Sequence, residues 1–264
     1  ALLFNFANGL NDAANSIATI VATKALTPLQ AVLLAGVFNL LGPLLFTTAI
    51  AATIGRGIVD PSFLTPTLIF MALVGGVLWV LATSLLGIPV SSSHALIGGL
   101  LGAGIAGAGT GAVIWPSLVM IEQTAFYGLA GAVLGAVATG VFAHRRGEFK
   151  PWNLLVGGLI GVTLVIPLAI ATGFLSVSGI LGVIIFIVVS PMLGFIVAFI
   201  FGITVTYVFR NYAPRRLTNL FRNLQIFSGS LQAIGHGGND AQNAMGIITA
   251  MLLAGGLISE FVVP

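Results

Sequence analysis

Apolar residues run through this chain in long blocks, and Pro, Gly or charge breaks the blocks at short intervals. The blocks fall at roughly 1–23, 28–54, 65–88, 90–108, 122–143, 153–173, 178–209 and 225–257. The breaks lie at Pro28, Arg56 to Pro61, Pro89, Trp115-Pro116, His144 to Pro151 and Arg210 to Arg216. Each block is long enough, or nearly so, for the roughly 20 apolar residues that a membrane-crossing helix needs. An open sheet cannot satisfy its edges in hydrocarbon, and no barrel-like alternation is present, so all blocks are predicted as helices. The segment from Arg215 to Leu224 alternates basic or polar with apolar residues and is expected to lie in the membrane interface.

Composition turns these helices into a membrane protein. Only 6% of the 264 residues are charged, 58% are hydrophobic, and mean hydropathy is +1.15. A soluble domain carries about 25% charged residues and could not cover its surface with so few. The chain is therefore expected to cross the cell membrane several times, with the lipid bilayer as its solvent. The pI of 9.8 does not point to nucleic acid, because the basic residues sit in short loops. Arg145, Arg146 and Lys150, and later Arg210, Arg215, Arg216 and Arg222, mark the cytoplasmic side, with Arg56 outside as an exception. There is no cysteine and hence no disulfide framework. No initiator Met or cleavable leader opens the chain, and truncation is expected at both ends.

Inside these apolar blocks one polar phrase is written twice. Gly9-Leu10-Asn11-Asp12-Ala13-Ala14-Asn15 and Gly237-Gly238-Asn239-Asp240-Ala241-Gln242-Asn243 share Gly, Asn, Asp, Ala and Asn at a constant offset of 228 (240 minus 12). An Asp at the centre of a membrane helix costs about 2.5 to 3.5 kcal/mol on insertion scales, so its duplication marks a site. Six expected crossings separate the copies, which makes them antiparallel. That predicts an inverted-topology repeat, with halves at 1–143 and 153–264 and a site where they meet near the midplane. Gly before Asn-Asp lowers helix propensity, so each copy is expected to interrupt its helix near Asn11 or Asn239. Asp12 and Asn15, like Asp240 and Asn243, are three apart on one helical face and can share a hard cation such as sodium. The competing role is hydrogen bonding between small-residue helix faces.

A second constellation is Pro89-Val90-Ser91-Ser92-Ser93-His94. Three hydroxyls ahead of a helix can cap it and donate to an anion at its N-terminus. His94 is either a packing residue or a titratable group within the membrane. Ser190-Pro191 interrupts the long block 178–209, as a helix restart at depth or a proline kink. All nine Lys and Arg residues lie in or beside loops, so an anion at the midplane must rely on amides, hydroxyls and cations. Two ionised Asp residues and an anion in a low-dielectric pocket require cations or protons to enter with them.

The two NDxxN copies, the PVSSSHALIGG stretch from Pro89 to Gly99, and Ser190-Pro191 with Gly194 together resemble the inorganic phosphate transporter family called PiT. The resemblance spans nearly the whole chain. It implies an all-α polytopic membrane protein, an inverted-repeat bundle with broken or re-entrant helices at the midplane, acting as a homodimer. It implies symport of inorganic phosphate with sodium or protons by alternating access and no cofactor beyond that transported cation. Carried over, Asn11, Ser91, Ser92, Ser93, His94, Asn239 and Ser190 are expected on phosphate, and Asp12, Asn15, Asp240 and Asn243 on sodium. Leu10 departs from the more typical His236-Gly237-Gly238 of the second copy. Sulfate permeases share the superfamily and are the alternative. An intramembrane serine hydrolase built on Ser93 and His94 is disfavoured because adjacent helical residues do not share a face. A passive channel would lack uphill flux driven by a second ion.

Overall fold

The structure, a computed structural model, describes residues 1–263. The side chains of Ala13, Pro214, Arg215 and Arg216 are outside the described residues, and with them two of the charges used for orientation. Among the described residues the chain forms nine α-helices, two 3-10 turns and one β-bridge between Val59 and Val113. In order they are α1 (Leu2–Ala22), α2 (Pro28–Leu45), α3 (Ala49–Arg56), α4 (Pro66–Leu85), α5 (Ser92–Ala108), α6 (Leu118–Arg145), α7 (Pro151–Ala171), α8 (Gly179–Phe209) and α9 (Pro214–Ala254). Five of them, α2, α4, α6, α7 and α8, are long and apolar enough to cross a membrane. With 17 residues, α5 spans about 25 Å at 1.5 Å per residue, short of a hydrocarbon core of about 30 Å.

Local sequence explains most helix starts. Thr27 accepts from the Gln30 amide while Gln30 returns a bond to the Thr27 amide, and Pro28 opens α2 with no amide to satisfy. Thr65, Ser91 and Ser117 cap α4, α5 and α6 in the same way. The break between α2 and α3, inside the expected block 28–54, has a remote cause. The buried Gln242 of α9 accepts from the Ile50 and Ala51 amides at 3.0 and 3.4 Å, capping α3 from nearly two hundred residues away.

Other expected breaks are absent. Both motif copies lie within uninterrupted helices, and α8 runs straight through Ser190-Pro191. In α1 the Asn11 and Asn15 amides both donate to Asp12 of the same helix, so the polar side chains find partners without opening the backbone. In α9 the glycines serve close packing. A Cβ on Gly237 would run into the Asn39 backbone of α2, and one on Gly238 into the Phe46 ring. At Pro191 one amide is lost, but an apolar surrounding offers no substitute for any further backbone bond, which favours continuing the helix. The expected interfacial segment Arg215 to Leu224 is the first part of α9, whose 41 residues reach about 60 Å.

The helices gather into two compact units. The first comprises Ala1–Ile114 together with Tyr212 onward, and the second Trp115–Asn211. Within the first, α9 packs on α1, α2 and α3, and α4 pairs antiparallel with α5, Gly99 against Ala72 and Ala95 against Gly76. Small residues permit these approaches: a Cβ on Gly246 would stand 2.5 Å from the Ala51 carbonyl oxygen. Within the second unit, Gly131 and Gly135 of α6 meet Gly157 and Gly161 of α7, and Thr139 donates to the Asn153 carbonyl at 2.8 Å. Leu175 closes that unit's core on Ile166 and Ala169.

Candidate functional site

Three pieces of the first unit converge: the middle of α1, the middle of α9, and the loop from Val90 into α5. On α1, Asn8, Asp12 and Asn15 follow at spacings of four and three and so share a face. The Asp12 carboxylate is the hub. Its Oδ1 accepts from Asn11 Nδ2 and Asn15 Nδ2, each at 3.3 Å, and its Oδ2 from the Ser92 hydroxyl at 3.4 Å. The buried Ser92 hydroxyl also donates to Oδ1 of the buried Asn8. Asn11 donates to the Val90 carbonyl at 3.5 Å and accepts from Ser84 at 3.0 Å, which ties the loop and the end of α4 to α1.

On α9, His236 and Asp240 are one turn apart, with Nε2 3.1 Å from Oδ2. One Asp12 oxygen, one Asp240 oxygen and one His236 ring nitrogen all lie within 4.8 Å of each other, and all three residues are partly buried. The buried Asn243 donates to Ser93 Oγ at 2.8 Å. Two consecutive hydroxyls are thereby joined to different copies, Ser92 to the first and Ser93 to the second.

The other residues singled out from sequence fall elsewhere. Ser91 caps α5, accepting from the His94 amide at 3.4 Å. Ser91 and His94 are exposed and line an open groove of about 540 Å³ beside Trp79, Pro89 and Gly98. Ser93 faces Asn243 while His94 faces this groove, so the pair does not form the nucleophile and base that a serine hydrolase requires. Asn239 is exposed on α9, and Ser190 is exposed on α8 in the second unit. Asn15 is exposed, whereas its repeat counterpart Asn243 is buried.

Asn8 and His236 also belong to the cluster, although the repeated phrase does not include them. They occupy equivalent repeat positions, since 236 minus 8 is again 228. A scan for every polar residue preserved at that offset, without requiring identity, finds them.

Chemically, the arrangement offers carboxylate, amide and imidazole ligands, with carboxylate and amide groups in direct contact with two serine hydroxyls. Hard cations prefer such oxygens, and imidazole widens the range of cations accommodated. Hydroxyls and helix-start amides suit an oxyanion.

The phosphate transporter family matches this chain at residues 8–152 and 152–260. A protein of Rhizobium meliloti named "Probable low-affinity inorganic phosphate transporter" is 38% identical over 265 residues, covering 100% of this chain and 61% of the relative. A protein of the same name from Bacillus subtilis is 34% identical over 259 residues, covering 97% of this chain and 59% of the relative. The chain thus spans about three-fifths of the length of these relatives. A solved structure described as "The sodium-dependent phosphate transporter" shares the fold, with a TM-score of 0.58 and 23% identity over 99% of this chain and 68% of that one.

Proposed function

The chain belongs to the phosphate transporter family, a multi-pass integral membrane protein, and from that premise we propose that it carries inorganic phosphate across the cell membrane by symport with a cation. The observation that carries the reading is the pair Ser92 and Ser93, which brings two anion donors against both Asp-bearing motif copies at once. Phosphate is taken by Ser92, Ser93 and the first amides of α5, with Asn11 holding the loop in place. The coupled cation, sodium or a proton, is taken by Asp12 and Asp240, with Asn15 and Asn243 beside them. Charge supports the coupling: with no Lys or Arg paired to either carboxylate among the described residues, two carboxylates and a phosphate in a low-dielectric setting are too unfavourable without accompanying positive charge. The transport cycle is alternating access of the two proposed repeat halves, 1–143 and 153–264, about this site. The homodimer is likewise proposed, from the family resemblance.

Uptake of radiolabelled phosphate into proteoliposomes containing the full-length protein tests this. Uptake is expected to rise with an inward sodium or proton gradient and to resist competition by unlabelled sulfate. Gradient-independent flux would indicate a channel, and no flux from folded protein would sink the reading.

A further inference from the structure

Ser92 has one proton and two lone pairs to offer. Two acceptors compete for that proton, Asn8 Oδ1 and, at 3.4 Å, Asp12 Oδ2. Asn8 turns its carbonyl oxygen, which can only accept, towards Ser92. Ser92 is therefore fully committed as a donor towards the cation side. Ser93 is arranged the opposite way: it accepts from Asn243 at 2.8 Å, which uses a lone pair and leaves its proton for another partner.

We propose that Ser92 is a hydroxyl switch through which cation occupancy creates a phosphate donor, an inference that rests on the transport reading above. Without a cation, Asn8 and Asp12 hold the Ser92 proton. When a cation takes Asp12 Oδ2 and Asn8 Oδ1 as ligands, their lone pairs are occupied and the adjacent positive charge repels the hydroxyl hydrogen. The hydroxyl then turns its proton to the anion and its oxygen towards the cation. Ser93 is a standing donor, and Ser92 is a conditional one. Asn8 is a positioning residue, since it acts by holding the Ser92 proton.

The test is a coupling ratio, the affinity for inorganic phosphate with saturating cation divided by the affinity without it. It is measured on the full-length protein in sodium against choline buffer and across pH. In the native protein the ratio is expected to fall in the usual range of about 5 to 150 for coupled sites. Ser92→Ala lowers it severalfold by weakening only the cation-loaded state, leaving the part that charge alone supplies, while Ser92→Thr, which keeps the hydroxyl, retains it. Asn8→Ala lowers the ratio from the other side, by strengthening phosphate binding in choline. A role of Ser92 in folding alone would not move the ratio in folded protein. If Ser92→Ala weakens phosphate equally in both buffers, or native phosphate binding responds to neither sodium nor pH, the switch is overturned. A native protein that binds no phosphate overturns the transport reading itself, which is a separate outcome.

Discussion

At the scale of single residues, identical letters in the two motif copies do unequal work. Asn243 is buried and holds Ser93, whereas Asn15 is exposed and its side chain serves Asp12 of its own helix. Removing the partner of a buried polar group costs about 1 to 3 kcal/mol, a factor of roughly 5 to 150 in affinity, while an exposed intrahelical bond is worth well under that. Asn243→Ala is therefore expected to weaken phosphate binding by at least about fivefold and Asn15→Ala by much less, as isotherms on the two variants would show. Equal losses would contradict the asymmetry. Repetition made Asn11, Asp12, Asp240 and Asn243 legible in the sequence, because polar groups are costly in apolar surroundings and a cost incurred twice in the same order signals a shared site. It could not show which Asn is covered, since burial depends on which distant helices pack over each copy. It also hid Asn8 and His236, whose positions repeat while their residue types do not.

Helices were legible as blocks, and their interruptions were not. Mean apolarity and the Pro and Gly punctuation locate α1 and α4 to α8 within a few residues, but the expected block 28–54 breaks at Phe46 to Thr48, and no break falls near Asn11, Asn239 or Ser190. A helix ends where its terminal amides find acceptors, and for α3 that acceptor is the Gln242 side chain on another helix. Gln242→Leu leaves two buried or half-buried amides without it and is expected to destabilise the protein by about 1 to 3 kcal/mol, seen as a lower midpoint of thermal unfolding in detergent. Gln242→Glu keeps an acceptor oxygen and should lose less; a Glu variant as unstable as Leu would argue against capping. The glycines of the second copy, Gly237 and Gly238, whose low helix propensity suggests hinges, are contact points instead. Gly238→Ala forces a methyl against the Phe46 ring, and overpacking of this kind costs about 1 to 3 kcal/mol. Gly9→Ala, with open space around it, is expected to be tolerated in the same unfolding measurement.

At the scale of the whole molecule the governing quantity is charge. The chain places Asp12 and Asp240 together between α1 and α9, and among the described residues neither carboxylate has an ion pair with Lys or Arg, so the proposed cargo must arrive with its own positive charge. If Asp12 and Asp240 are where coupled cations sit, each carboxylate sets part of the stoichiometry and not merely the rate. Asp12→Asn or Asp240→Asn then removes one coupled cation per phosphate. With a tenfold inward gradient of that cation and no membrane potential, each coupled cation contributes about 1.4 kcal/mol, or about tenfold, to the limiting phosphate accumulation. Each single variant is thus expected to accumulate phosphate to a plateau about tenfold lower, however slowly it reaches it. A variant that fills more slowly but reaches the native plateau would separate these carboxylates from coupling. Their role would then be confined to holding Asn11, Asn15, Ser92 and His236 in register, because a residue that only positions others changes how fast equilibrium is reached and leaves its position unmoved.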